Sequence, residues 1–286
     1  MAEPVAILYG AHRCRLKWHR AKRHATDTAF TADRIRQGLL AGAVVEVDLN
    51  PLAQGGWVIL HDPTLDRETT GAGHVSAIRE SDLASLRLRD SAGRPTPHPV
   101  ASLGALARDL AAHPLPEGGH LQLDLKVGAD SLTPGHVHGF VRDVAPIAGH
   151  VILSGGDALA VRRLADASGV GVGFDPCHSS TMLDLAASRA FDAFVSEAVA
   201  AVPDARIIYL HRALVRQADQ WGCDLLALFR DRQRDVDVYT FESASPTCLR
   251  EIERLLHLKA DQVTTDDPTA IAAMFEVIVT ARSPSD

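Results

Sequence analysis

Short β-branched runs alternate with longer stretches of helical periodicity along the whole chain, and this alternation restricts the fold more than any other feature. Strand candidates are VAILY (5–9), AVVEVDL (43–49), HLQLDLK (120–126), HVILS (150–154), GVGVGF (169–174), FDAFVS (191–196), RIIYL (206–210), DVYTF (237–241) and DQVTT (261–265). Between them, 30–41, 101–112, 157–167, 211–221 and 245–256 carry Ala and Leu at helical spacing, with Arg, Asp and Glu on the opposite face. Such alternation predicts a parallel sheet covered by helices. Nine candidates against the eight strands of a (β/α)8 barrel make 191–196 or 206–210 irregular. A doubly wound open sheet would carry a glycine-rich phosphate turn after its first strand, where this chain has GAHRCR. The expectation is one α/β domain over 1–286, a single (β/α)8 TIM-type barrel with a β-hairpin after strand 2.

Composition narrows the partners. Apolar residues make up 46% of the chain and supply a large core, while a formal charge of −7 argues against nucleic-acid binding. Cys14, Cys177, Cys223 and Cys248 form no CxxC, so free thiols in a reducing compartment are expected. The N-terminal apolar run precedes its basic residues, the reverse of a secretory signal, and no apolar stretch is long enough to span a bilayer. A cytoplasmic protein without stable membrane insertion is the simplest expectation.

In barrels of this kind, chemistry collects at the C-terminal ends of the strands. The second strand ends in Glu46-Val47-Asp48, and residues two apart share a face, so both carboxylates point one way. The third ends in Asp124-Leu125-Lys126, again two polar side chains in an apolar run. Buried charges are costly unless paired or bound to metal, and three converging carboxylates suit one hard divalent cation, Mg²⁺ or Ca²⁺. The gap from Asp48 to WVILH is too short for a helical crossover and predicts an antiparallel hairpin turning near Gln54-Gly55. That register sets His61 opposite Asp48, an imidazole suited to general acid or base work.

The motif VVEVDL followed by WVILHDPTLDRETTGAGHV closely resembles the glycerophosphodiester phosphodiesterase family, with Glu46, Asp48, His61-Asp62, Leu65, Arg67, Thr69, Gly71 and Gly73 at matching spacing. LQLDLK resembles its Glu-x-Lys strand with Asp124 in place of Glu; that variant also looks like the related sphingomyelinase D-type phospholipases, but the TLDRETTGAG run favours the glycerophosphodiesterase branch. VILSGGD, VDVYTFES and ADQVTTDDP resemble three later strands, with Tyr239 and Glu242 as departures. The resemblance implies a (β/α)8 barrel acting on a small-molecule phosphodiester. It implies Glu46, Asp48 and Asp124 as metal ligands, and Lys126 with the arginine of a His-Arg pair on the phosphate. His61 and the histidine of that pair would share acid–base work. Tyr239 stands either as substrate wall or as barrel packing. A lyase forming a cyclic phosphate and a non-catalytic headgroup-binding barrel are the alternatives.

Two His-Arg pairs compete for that role. VAILYGA is apolar and leads into His12-Arg13, whereas RCRLKW before His19-Arg20 reads as a poor strand. Spacing back from Glu46 favours His19. Strand identity outranks loop length, since loops accept insertions, so His12 and Arg13 are assigned. Residues 14–25 then form a basic loop, and the glycine of the family's His-Arg-Gly is replaced by Cys14 or Ala21.

Overall fold

The computed structural model describes residues 3–282. Among the described residues twelve strands and ten helices follow one another in the order of a (β/α)8 barrel. The strands are β1 (Ala6–Tyr9), β2 (His12–Trp18), β3 (Val44–Pro51), β4 (Trp57–Ile59), β5 (Arg87–Arg89), β6 (Pro95–Pro99), β7 (His120–Leu125), β8 (Val151–Gly155), β9 (Gly171–Phe174), β10 (Ile207–His211), β11 (Asp235–Phe241) and β12 (Gln262–Thr265). The helices are α1 (Ala32–Leu40), α2 (Leu103–Ala111), α3 (Pro134–Val144), α4 (Ala158–Ser168), α5 (Ser179–Ser188), α6 (Phe191–Ala201), α7 (Arg212–Gln220), α8 (Leu225–Arg230), α9 (Pro246–His257) and α10 (Pro268–Arg282). Among the described residues no helix is long and apolar enough to cross a membrane. All four cysteines are free thiols.

Backbone contacts divide the chain into two compact units. The first is Arg20–Lys22 with Thr26–Val172. In it β7 lies between β3 and β8, all parallel, and β4 returns antiparallel on β3. Every residue of β3 is buried, so this strand lies in the unit's core. The expected hairpin is present and turns at Gln54 and Gly55, with φ of 64° and 87°. A side chain at Gly55 would meet the Gly135 carbonyl at 2.5 Å, so α3 seats directly on a turn that only glycine allows. The pairs Leu49–Ile59, Asn50–Val58 and Pro51–Trp57 shift the expected register by one residue. The ladder ends at Ile59, so His61 lies beyond the strand and not opposite Asp48. Residues 62–74 fold into a compact loop. Thr69 bonds Leu65 and Gly71, and Leu65 N–H donates to the Gly73 carbonyl.

The second unit combines Arg23–Ala25 with the chain up to His19 and the chain from Gly173 onward. Its parallel strands run β2-β12-β11-β10-β9. The candidate at 191–196 is helix α6, while 206–210 is a true strand, which resolves the surplus of nine. The first barrel strand corrects the expectation. Ala6–Tyr9 forms β1, which pairs antiparallel with β2 through a tight turn at Gly10, and its Leu8 is 62% exposed. The parallel strand is His12–Trp18, paired with β12 from Arg15–Gln262 to Trp18–Thr265.

The polar look of β2 has a physical cause. Lys17 is buried with its ammonium 3.3 Å from the buried Asp237 carboxylate and 4.2 Å from the Tyr209 ring centroid. Asp237 also accepts bonds from Gln262 Nε2 and Thr264 Oγ1, at 2.5 and 2.6 Å. A compensated charge thus occupies a strand position that hydrophobicity alone rejects. Residues 14–18 are therefore strand, not a basic surface loop.

Candidate active site

Parallel pairing of β3 with β7 sets Asp48 beside Asp124. One carboxylate oxygen from each of Glu46, Asp48 and Asp124 lies within 4.8 Å of the others. Two cationic side chains pair with this cluster. Lys126 Nζ, just beyond β7, is 2.7 Å from Asp48 Oδ1 and 2.5 Å from Asp124 Oδ2. Arg20 donates its backbone N–H to Glu46 Oε2 at 2.8 Å and holds Nε 3.2 Å from Asp48 Oδ2. Ser154 Oγ donates to Asp124 Oδ1 at 2.7 Å and fixes that carboxylate from β8.

Burial and the neighbouring Glu46 raise the Asp48 carboxyl to about 6. Burial opposes the charge of Lys126, but Asp124, Asp48 and Glu46 together hold its ammonium protonated well above the usual lysine range. Asp48 Oδ2 is buried and accepts no hydrogen bond. An all-oxygen set with mutual repulsion, in which the buried Asp48 Oδ2 has only the Arg20 ion pair, fits a hard divalent cation.

The backbone bends sharply to deliver Arg20. Arg20 and Ala21 are consecutive residues at positive φ, 53° and 58°, and Ala21 is fully buried. Left-handed alanine costs about 1–2 kcal/mol, so a position that suits glycine is held here by its surroundings. The N–H of Phe30 closes the loop on the Arg20 carbonyl at 2.9 Å.

His61 is anchored to the same strand as the carboxylates. Asn50, two residues beyond Asp48, donates from Nδ2 to the carbonyls of Leu60, His61 and Asp62 at 2.9, 3.2 and 3.4 Å. Glu68 Oε2 accepts the backbone N–H groups of His61 and Asp62, both at 2.9 Å. His61 Nδ1 lies 2.8 Å from Asp62 Oδ1, and with Nδ1–H donating there, proton transfer falls to Nε2. Arg67 grips Asp62 with two bonds of 2.6 Å. These bonds, with burial opposing and His61 assisting, hold the Asp62 carboxyl down at about 2.

A pH consequence follows. An unfolded aspartate titrates near about 3.9, so a depressed folded value contributes stability that is present above about pH 4 and lost as pH falls toward 2. Arg67→Ala is expected to remove much of this dependence. Urea midpoints measured from pH 5 to pH 2 should fall less steeply in the variant, and identical slopes would contradict the assignment.

In the second unit, His19 directly follows β2 and its Nδ1 lies 2.6 Å from Asp266 Oδ1, just past β12. It occupies the C-terminal end of the first barrel strand, where barrel chemistry collects. His12 opens that strand at the opposite end, with Nε2 2.8 Å from the Ala260 carbonyl, and Arg13 is exposed. The strand argument that selected His12 and Arg13 therefore favours His19 and Arg20 instead. Tyr239, on β11, donates its hydroxyl to Asp175 Oδ2 at 2.7 Å, and its ring meets His211 edge-on at 5.6 Å. His211 caps α7, accepting the Ala213 N–H.

Asn50, Glu68 and Asp175 carry no expectation from the sequence, whereas Arg20 belongs to the competing His-Arg pair that was set aside. Asn50 continues the two-residue alternation of Glu46 and Asp48, and Glu68 lies inside the LDRETTGAG run, so both had a signal. Arg20 followed from its histidine.

Fold and site together define a (β/α)8 barrel with an acidic, cation-ready cluster at the ends of neighbouring strands. Solved structures with the same fold include glycerophosphodiester phosphodiesterases from Agrobacterium tumefaciens and Thermotoga maritima. The first is 19% identical, matching 91% of this chain and 99% of that one with a TM-score of 0.63. The second is 18% identical, matching 95% and 99% with a TM-score of 0.61. A third is an Oleispira antarctica phosphodiesterase in complex with the product sn-glycerol-3-phosphate, 17% identical over 91% and 96% of the two chains, TM-score 0.61. At these identities the likeness is one of fold. No protein-family model and no curated protein sequence matches the chain.

Proposed function

We propose that the chain hydrolyses a glycerophosphodiester to sn-glycerol 3-phosphate and an alcohol, using one divalent cation, Mg²⁺ or Ca²⁺. The observation that carries this reading is the convergence of Asp124 and Lys126 with Glu46 and Asp48, the latter two on the strand whose Asn50 also holds the His61-Asp62 loop. Glu46, Asp48 and Asp124 would hold the cation, which supplies charge neutralisation for the phosphate oxygens. Lys126 and Arg20 add fixed positive charge for the five-coordinate transition state.

His61 and His19 divide the proton work. One imidazole takes the proton of the attacking water, or of the neighbouring glycerol hydroxyl, in which case water afterwards opens the cyclic phosphate to sn-glycerol 3-phosphate. The bond from phosphorus to the alcohol oxygen breaks, and the other imidazole protonates the leaving alkoxide. Asp62 and Asp266 orient the two rings through Nδ1. Tyr239 is assigned to the substrate wall.

Turnover of glycerophosphocholine tests the reading. Choline release should require added Mg²⁺ or Ca²⁺ and stop with a chelator. Binding without turnover would favour a headgroup-binding barrel.

A further inference from the structure

Beside the site, an open pocket of about 360 Å³ is lined by Arg20, Arg67, Lys22 and Arg89 around the apolar faces of Phe30 and Leu88. Two of these residues tie it to the chemistry described above, since Arg20 contacts Glu46 and Asp48, and Arg67 grips Asp62. The pocket therefore adjoins, through these two arginines, the residues assigned to the reacting diester.

Its charge is biased. Three acids also reach the pocket, but each is engaged. Glu68 serves the His61 and Asp62 N–H groups and Arg67. Asp90 accepts from Ala92 and twice from Arg94. Asp27 pairs with Arg34 at 3.3 Å. Arg89 differs. Its Nε donates to the Thr69 carbonyl at 2.6 Å and its Nη1 to the Gly93 carbonyl at 2.8 Å, and no described carboxylate pairs with it. Carbonyls fix the guanidinium in place without cancelling its charge. Two of its five N–H groups are consumed, so a planar donor edge is preorganised for an anion.

We propose that this pocket receives the alcohol portion of the diester and selects alcohols that carry their own anionic group, a phosphate monoester or a carboxylate. Phe30 and Leu88 cover the carbon skeleton while Arg89, with Lys22 nearby, meets the charge. This rests on the phosphodiesterase reading and adds the class of its substrate.

The experiment compares kcat/KM for glycerophosphoinositol 4-phosphate, glycerophosphoserine, glycerophosphoglycerol and glycerophosphocholine in the metal-loaded protein. A charge-assisted hydrogen bond in such a pocket is worth roughly 10–100-fold, so at least one anionic substrate should exceed glycerophosphocholine by that factor. The phosphate and carboxylate arms identify which anion fits. Arg89→Gln should collapse the ratio of anionic to choline substrate. Arg89→Lys, which keeps the charge but not the planar donor edge, should give a ratio between those of the parent and Arg89→Gln, and so separates recognition from loop damage. A ratio near one in the parent protein, or one unchanged in Arg89→Gln, overturns the proposal while leaving the phosphodiesterase reading intact. No turnover of any of the four substrates overturns both.

Discussion

His19→Ala is expected to lower kcat by roughly 10²–10⁴, the usual worth of a positioned general acid or base, while His12→Ala stays within about threefold of the parent. The contrast comes from strand direction. His19 follows the last residue of β2 and is oriented by Asp266, whereas His12 opens the strand and bonds a backbone carbonyl at its other end. His61→Ala should fall as far as His19→Ala. Steady-state kinetics on one substrate decide the matter. A dead His12→Ala beside an active His19→Ala would reverse the assignment.

Glu46→Gln is the second large effect. The substitution keeps size but removes a ligand charge, and metal neutralisation of a phosphoryl group is worth several kcal/mol, so kcat/KM should drop roughly 10²–10³-fold. Calorimetric titration with Mg²⁺ or Ca²⁺ should show one site in the parent and none in the variant. Undiminished binding would remove Glu46 from the ligand set.

A stability signature accompanies this loss. Asp48 is raised to about 6 in the fold, so the metal-free parent is stabilised by its protonation below about pH 4, and this contribution is lost as pH rises through 6. Removing the Glu46 charge should weaken that dependence, because part of the shift is repulsion between the two carboxylates. Burial remains and keeps the rest. Denaturation midpoints between pH 4 and pH 8 without metal read the difference.

Much of this was legible in the sequence because two periodicities are strong here. Val44, Val45 and Val47 around Glu46 and Asp48 could only be a buried strand with its charges on one face. The short gap to Trp57 could only be a hairpin. What misled was hydrophobicity used as a proxy for strand membership. VAILY is the apolar run but forms β1, with Leu8 largely exposed, whereas HRCRLKW carries four basic or imidazole side chains and is the barrel strand. Its burial depends on Asp237, more than two hundred residues away in the chain. No local window contains that partner. The one-residue register error in the hairpin is of the same kind, since Gln54 and Gly55 fix the turn through left-handed backbone that composition does not specify. Arg20 was passed over because its histidine was.

The proposed reaction is cleavage of a glycerophosphodiester at the Glu46-Asp48-Asp124 cluster. Phosphorus NMR of the metal-loaded chain with glycerophosphocholine tests it most directly. The diester resonance should decay into a single phosphomonoester, sn-glycerol 3-phosphate, and Glu46→Gln should leave the diester intact. Accumulation of a stable cyclic phosphate, or a diester resonance unchanged by the parent protein, would contradict the account.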